Sequence, residues 1–74
     1  MTLAAMEAGQ EARVVGVPTN TESSQRLRDL GIISGEPVKL LKKAPLGDPI
    51  EIRIMNYDLC LRRSEAESIL VELV

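Results

Sequence analysis

The side chains that could do chemistry in this chain are carboxylates, one thiol and a few hydroxyls, because it has eleven acids, one cysteine and no histidine. Without histidine, no Ser-His or Cys-His pair can form for nucleophilic catalysis. The sequence also lacks a glycine-rich phosphate loop of the G-x-x-x-x-G-K-[ST] kind. We therefore expect that the protein is not an enzyme.

The acids are poorly placed to share a metal ion. Transition-metal sites usually combine imidazole with carboxylates or use several thiolates. Glu65 and Glu67 are two positions apart on a predicted helix and face different directions, and a proline separates Asp48 from Glu51. We expect solvated surface acids and no bound cofactor; a weak transition-metal site is the alternative.

A loop rich in proline and glycine leads into the most regular strand pattern of the chain. Pro45 and Pro49 fix two φ angles near roughly −65°, and Gly47 between them can take a positive φ. The alternating run Ile50–Ile54 follows at once. Leu46, in the middle of this rigid loop, is either a plug for the local core or a contact for a partner.

A hairpin is predicted to follow, with strands on either side of an Asn56-Tyr57 turn, because asparagine tolerates positive φ. This turn sets a register in which the facing pairs are Ile54 with Leu59, Arg53 with Cys60, Ile52 with Leu61 and Glu51 with Arg62. The apolar residues Ile52, Ile54, Leu59 and Leu61 then share one face, which we expect to be buried. Cys60 is either a thiol activated by Arg53 or, as we favour, a half-buried structural cysteine.

The remaining elements are short. The patterns predict a helical turn capped by Thr2, a strand over 11–17 stopped by Pro18 and Asn20, and a helix over 21–31 capped by Ser23 or Ser24 and ended by Gly31. They also predict a strand over 38–43, a Ser64–Glu67 capping box and a last strand over 69–74. The sequence thus predicts a mainly β fold, a small barrel of about five strands with two or three short helices.

Bulk composition fits one small globular domain spanning residues 1–74. The net charge is −2 and 45% of the residues are hydrophobic, which argues against both disorder and nucleic-acid binding. A single cysteine cannot form an intramolecular disulfide, and no apolar run approaches a membrane span. We expect a cytoplasmic protein with no direct membrane insertion.

One segment of the chain is specific enough to identify a family: Ala44-Pro45-Leu46-Gly47-Asp48-Pro49-Ile50-Glu51-Ile52. The positions that accompany it are Leu3, Gly9, Val14, Val15, Val17, Leu27, Leu30, Gly31, Ile32, Gly35, Val38, Leu59, Leu61, Arg62, Arg63, Glu65, Ala66 and Ile69. In these residues the sequence resembles the ferrous iron transport protein A (FeoA) family over nearly its whole length. One departure is Asn56, where family members commonly have glycine.

The resemblance implies an SH3-like barrel that serves as a cytoplasmic accessory to the membrane ferrous iron transporter. That transporter, ferrous iron transport protein B, carries a GTP-binding domain on its cytoplasmic side. Two alternatives stay open: a regulatory module acting with a metal-dependent transcriptional repressor, and a weak transition-metal-binding domain.

Partner contact is predicted on the proline loop and the basic residues near it. Pro45 and Leu46 would anchor the partner, and Lys42, Lys43 and Arg62 would orient it. These cations belong to a wider set that could form a basic face: Lys39, Lys42, Lys43, Arg53, Arg62 and Arg63. Small barrels expose strand edges, so pairing or swapping of the terminal strand, Ile69 to Val74, is one route to a homodimer, and the sequence leaves the oligomeric state open.

Overall fold

The structure is a computed structural model of the 74-residue chain, and it describes residues 1–18 and 22–74. In these ranges the strands are β1 (Glu11–Gly16), β2 (Pro37–Lys43), β3 (Ile50–Ile54), β4 (Tyr57–Leu61) and β5 (Leu70–Leu73). The helices are a 3-10 turn (Leu3–Ala5), α1 (Glu22–Asp29) and α2 (Arg63–Ala66). The predicted five strands with a few short helices are thus confirmed.

The strands form one antiparallel sheet in the order β4-β3-β2-β1-β5. The sheet is not closed, since β4 and β5 are its two edges. The N-terminal segment runs along the outer side of β5, where Thr2 bridges Leu70. The Leu3 amide donates to the Ile69 carbonyl at 2.9 Å, and the Val71 amide donates to the Met1 carbonyl at 2.8 Å. Part of the edge predicted to pair with a second copy is therefore already paired within the chain.

The core follows from alternation along the strands, because successive side chains of a strand point to opposite faces. One face of each strand supplies buried residues, and helix α1 and the N-terminal segment cover them. The fully or nearly fully buried apolar side chains are Leu3, Met6, Ala12, Val14, Leu27, Ile32, Val38, Leu40, Ile50, Ile52, Ile54, Leu61, Ala66, Ile69 and Val71. Leu30 and Leu59 are partly buried against them. The expectation that the apolar face of the hairpin lies inside is correct.

The hairpin turn lies one residue earlier than predicted. Met55 and Asn56 form it, with φ angles of +52° and +68°, and Ile54 faces Tyr57. Each residue of β3 therefore faces a residue of β4 that lies two positions earlier in the sequence than predicted. This shift keeps the same side chains on the buried face. The Arg53 and Glu51 pairings predicted from the sequence are wrong: Arg53 faces Asp58 rather than Cys60, and Glu51 faces Cys60 rather than Arg62.

Several predicted helix caps are also wrong. The Thr2 side chain makes no capping bond, and α1 begins at Glu22, so Ser23 and Ser24 lie inside it rather than before it. Helix α2 begins at Arg63, not after Ser64. The Glu65 carboxylate accepts from the Arg62 amide at 3.0 Å, so Arg62 and Glu65 take the positions predicted for Ser64 and Glu67.

The predicted helix end at Gly31 is confirmed. Gly31 has a φ of +93°, a conformation that glycine adopts without the penalty of a Cβ. A Cβ at this position would also lie 2.5 Å from the Met55 sulfur. Thr21, the predicted start of this helix, and Asn20, a predicted strand stop, lie outside the described residues.

Candidate partner-binding surface

The loop between β2 and β3 is held by three hydrogen bonds. The Gly47 amide donates to the Ala44 carbonyl at 2.7 Å, and the Ala44 amide donates to the Pro49 carbonyl at 3.0 Å. The Arg63 amide, at the start of α2, donates to the Asp48 carboxylate at 3.1 Å. Gly47 has a φ of +82° and the Asp48-Pro49 peptide bond is cis. The loop is therefore a defined turn that is fastened both to itself and to α2.

Leu46 lies at the tip of this turn with its side chain in solvent. It is 89% exposed, whereas Ile50, at the start of the next strand, is 1% exposed. The interpretation of Leu46 as a plug for the local core is wrong, because the two prolines and the Gly47 turn direct the tip away from the sheet. Fully burying a leucine against a partner would contribute roughly 1.5–3 kcal/mol.

The basic residues predicted to orient a partner differ in their surroundings. Lys42 is exposed, and its ammonium lies 3.6 Å from the Glu51 carboxylate. The Lys43 ammonium donates to the Ala4 carbonyl at 2.7 Å and so fastens the N-terminal 3-10 turn to β2. Arg62 is exposed at the N-terminus of α2. Of the two lysines, Lys42 has the ammonium group that is more open to a new partner.

A groove of about 310 Å³ lies beside the loop. Lys42, Lys43 and Pro45 line it, together with Pro49, Glu51 and Cys60. Leu46 and Arg62 are not among its lining residues. The structure thus brings together three of the five predicted partner-binding residues.

The sequence did not indicate that Glu51 and Cys60 line the groove, because their positions depend on the pairing register of β2, β3 and β4. A bulge between Leu40 and Lys42 places Lys42 opposite Glu51, and Glu51 lies opposite Cys60. The row Lys42-Glu51-Cys60 therefore crosses three strands on the solvent face. The register predicted from the sequence pairs Cys60 with Arg53 instead of Glu51. No residue pattern in the sequence indicates the bulge.

Cys60 is exposed, so its interpretation as a half-buried structural cysteine is wrong. Its side chain points away from the core because Leu59 and Leu61, on either side of it, point inward. Arg53 is not available to activate it. That guanidinium binds Asp58 at 2.7 Å, and this hydrogen bond raises the pKa of Arg53 and lowers the pKa of Asp58.

A larger concavity of about 640 Å³ lies at the opposite end of β3, around the hairpin turn. Its lining includes Glu36, Pro37, Met55, Asn56 and Val74. None of the predicted partner-binding residues contributes to it. We assign the candidate site to the smaller groove because that groove adjoins Leu46, an apolar side chain that is 89% exposed on a fastened loop.

Neither a cluster of metal-binding side chains nor a membrane-spanning helix occurs in the described part of the chain. Residues 1–18 and 22–74 contain no cluster of three or more Cys, Asp or Glu side chains that could hold a metal ion. Among the helices within those ranges, none has the length and apolar character needed to cross a membrane.

Comparison with known proteins gives a family and a fold. The FeoA domain family model matches residues 1–73. A Porphyromonas gingivalis Fe(2+) transport protein A/Fe(2+) transporter FeoB fusion protein is 35% identical over all 74 residues, and the chain spans 9% of that protein's length.

Solved structures agree with this family. The FeoA protein of Chlorobium tepidum is 42% identical with a TM-score of 0.90, and the match covers 100% of this chain and 70% of that one. A zinc-complexed FeoA from Stenotrophomonas maltophilia, described as a prokaryotic SH3 domain protein, is 32% identical with a TM-score of 0.80 over 97% of this chain and 89% of that one. The predicted SH3-like fold is confirmed.

A manganese-dependent transcriptional repressor matches with a TM-score of 0.90 at 18% identity, over 99% of this chain and 40% of the repressor chain. Similarity at this level of identity shows a shared fold only. It gives no separate support to the alternative of a regulatory module in a repressor system.

Proposed function

The chain belongs to the FeoA domain family, and from that premise we propose that it is a cytoplasmic accessory protein of ferrous iron uptake. In this proposal it binds the cytoplasmic part of the membrane ferrous iron transporter, ferrous iron transport protein B. It modulates the transporter by contact and not by catalysis of its own.

The fusion protein of P. gingivalis supports the choice of partner. In that protein, a region 35% identical to the whole of this chain belongs to the same polypeptide as the ferrous iron transporter. Covalent linkage keeps two domains at a high effective concentration. The fusion therefore favours a direct association of the two proteins when they are separate chains.

The observation that carries the proposed contact is Leu46, which is 89% exposed on a turn fastened by three hydrogen bonds. A rigid apolar anchor loses little conformational entropy on binding, so more of its burial appears as affinity. Pro45 lies beside it, and Lys42 and Arg62 place exposed positive charge nearby. Lys43 contributes through the fold, since it fastens the N-terminal turn.

The test is a pull-down of the transporter's cytoplasmic domain with the wild-type chain and with Leu46→Asp. We expect the substitution to reduce capture at least tenfold, because it would bury a charge where an apolar side chain is required. The matched control is Val74→Asp, since Val74 is 87% exposed and lies at the end of the chain, away from the loop. Equal capture by both folded variants would contradict the anchor role.

A further inference from the structure

The groove beside the proposed docking loop has a rigid apolar wall. Pro45 and Pro49 contribute to that wall, and their rings fix two backbone φ angles. The hydrogen bond from the Ala44 amide to the Pro49 carbonyl, 3.0 Å long, joins the two ends of the loop. The groove is therefore formed before a partner binds, so binding loses little conformational entropy in ordering it.

Two lysines, Lys42 and Lys43, line the groove, and they differ in how freely they can bind a partner. Lys42 has a side chain 76% exposed, and its distance of 3.6 Å to Glu51 makes a long ion pair. Exposed pairs of this kind contribute little stability. The Lys43 ammonium is held by the Ala4 carbonyl at 2.7 Å, so Lys42 is the lysine of the groove whose ammonium is freer to reorient toward a partner.

The size of the groove restricts its occupant. A volume of about 310 Å³ is at the low end for ligand pockets and accommodates a few side chains. One turn of a helix with its side chains, a cylinder about 10–12 Å wide and about 5.4 Å long, fills roughly 400–600 Å³, which is more than this groove holds. An extended segment that inserts alternate side chains suits the dimensions better.

We infer that the groove receives an acidic side chain and a neighbouring small apolar one from an extended segment of the transporter's cytoplasmic part. The carboxylate binds the Lys42 ammonium, and the apolar side chain packs against Pro45 and Pro49. This inference rests on the proposed function and adds the chemistry of the partner segment. It also assigns Glu51 a role, because the Glu51 carboxylate competes with the incoming acid for Lys42.

Two substitutions of opposite effect follow from this arrangement. Lys42→Glu should weaken binding of the transporter's cytoplasmic domain at least tenfold. Glu51→Gln should strengthen it about threefold, since it removes the competing charge and keeps the shape. Arg13→Glu is the control, because Arg13 is exposed on β1 and does not line the groove. At about 0.15 M salt, screening confines the effect to nearby charges.

Cys60 provides a direct footprint of the groove, because it is the only cysteine in the chain, is exposed and lines the groove. The rate of its alkylation by N-ethylmaleimide is measured by intact mass, with and without saturating cytoplasmic domain. We expect the rate to fall at least tenfold when the partner is bound, and Lys42→Glu to require more partner for the same protection.

The outcomes separate the two proposals. Binding of the cytoplasmic domain with an unchanged alkylation rate would overturn the groove assignment and leave the proposed function standing. A weaker or unchanged affinity of Glu51→Gln, with its thermal melt intact, would also overturn the assignment. Absence of any binding by the wild-type chain would overturn both.

Discussion

Single residues decide the geometry of the hairpin. The turn needs two consecutive positive φ angles, which Met55 and Asn56 supply at +52° and +68°. This conformation is unfavourable for most side chains, and asparagine tolerates it better than others except glycine. Two contacts to the end of α1 stabilise the turn: the Tyr57 hydroxyl donates to the Leu30 carbonyl, and Met55 lies over Gly31.

The first prediction concerns Asn56. Asn56→Ala should reduce the free energy of unfolding by about 1 kcal/mol, because alanine resists the positive φ. Asn56→Gly should change it by less than roughly 0.5 kcal/mol, since glycine fits this conformation. Urea unfolding of the three proteins checks this. Equal losses of unfolding free energy in the alanine and glycine variants would mean that the asparagine side chain, and not the positive φ angle, stabilises the turn.

The second prediction concerns the core at Ile52, whose side chain is fully buried. Ile52→Ala should cost about 2–5 kcal/mol through lost burial and the cavity left behind. That is a large fraction of the stability of a domain of this size. A thermal melt close to that of wild type would contradict the assignment of this face to the interior.

At the scale of elements, one ion pair links the two α-helices. Arg26 of α1 binds the carboxylate of Glu65 in α2, and that carboxylate also accepts from the Arg62 amide at 3.0 Å. Burial raises the pKa of Glu65, but the bonds from Arg26 and the Arg62 amide outweigh burial, so the pKa lies below its ordinary value of 4.5. The carboxylate is therefore bound more strongly as an anion in the folded protein.

The third prediction is a pH dependence from this linkage. Because the folded pKa is lowered, the Glu65 carboxylate stabilises the fold above pH 4.5, and this contribution is lost as the pH falls through the folded pKa. Glu65→Gln should lower the unfolding free energy by about 1 kcal/mol at pH 7, since Arg26 is half exposed. The difference from wild type should shrink by pH 3.

Urea unfolding at both pH values measures this effect. Asp58→Asn is the control, because the Asp58 pKa is also lowered but its ion pair is exposed. A larger pH-dependent change in the free energy of unfolding for Asp58→Asn than for Glu65→Gln would contradict the assignment of this pH dependence to the Arg26–Glu65 pair.

At the scale of the whole molecule, the sequence predicts the faces of the strands better than their partners. Alternation along Ile50–Ile54 correctly predicts which of these side chains are buried, although the sequence predicts the turn one residue too late. Moving the turn by one residue shifts the pairing of the two strands by two residues, and such a shift keeps each side chain on the same face of the sheet. The choice of the Met55-Asn56 turn depends on contacts with α1, which are distant in sequence. The groove could not be predicted either, because it depends on the bulge between Leu40 and Lys42, which the sequence does not mark.

The candidate site, like the fold, is predicted by the sequence only in part. Pro45 and Gly47 predict a rigid turn from their residue types alone, whereas the exposure of Leu46 is known only from the structure. The difference between Lys42 and Lys43 is not visible in the sequence, because it depends on the Ala4 carbonyl reaching one ammonium and not the other. Homodimer formation through the terminal strand stays a prediction. The N-terminal segment beside β5 narrows the edge available for it.

The central claim, that the Leu46 loop and the adjoining groove contact the transporter, is tested most directly by titrating the 15N-labelled chain with the transporter's cytoplasmic domain. Amide NMR shifts report which residues sense the partner. We expect the largest changes at Leu46, Gly47, Lys42 and Cys60, with Arg13 and Val74 unchanged. Changes centred on β1 and β5, or none at saturating partner, would contradict the account.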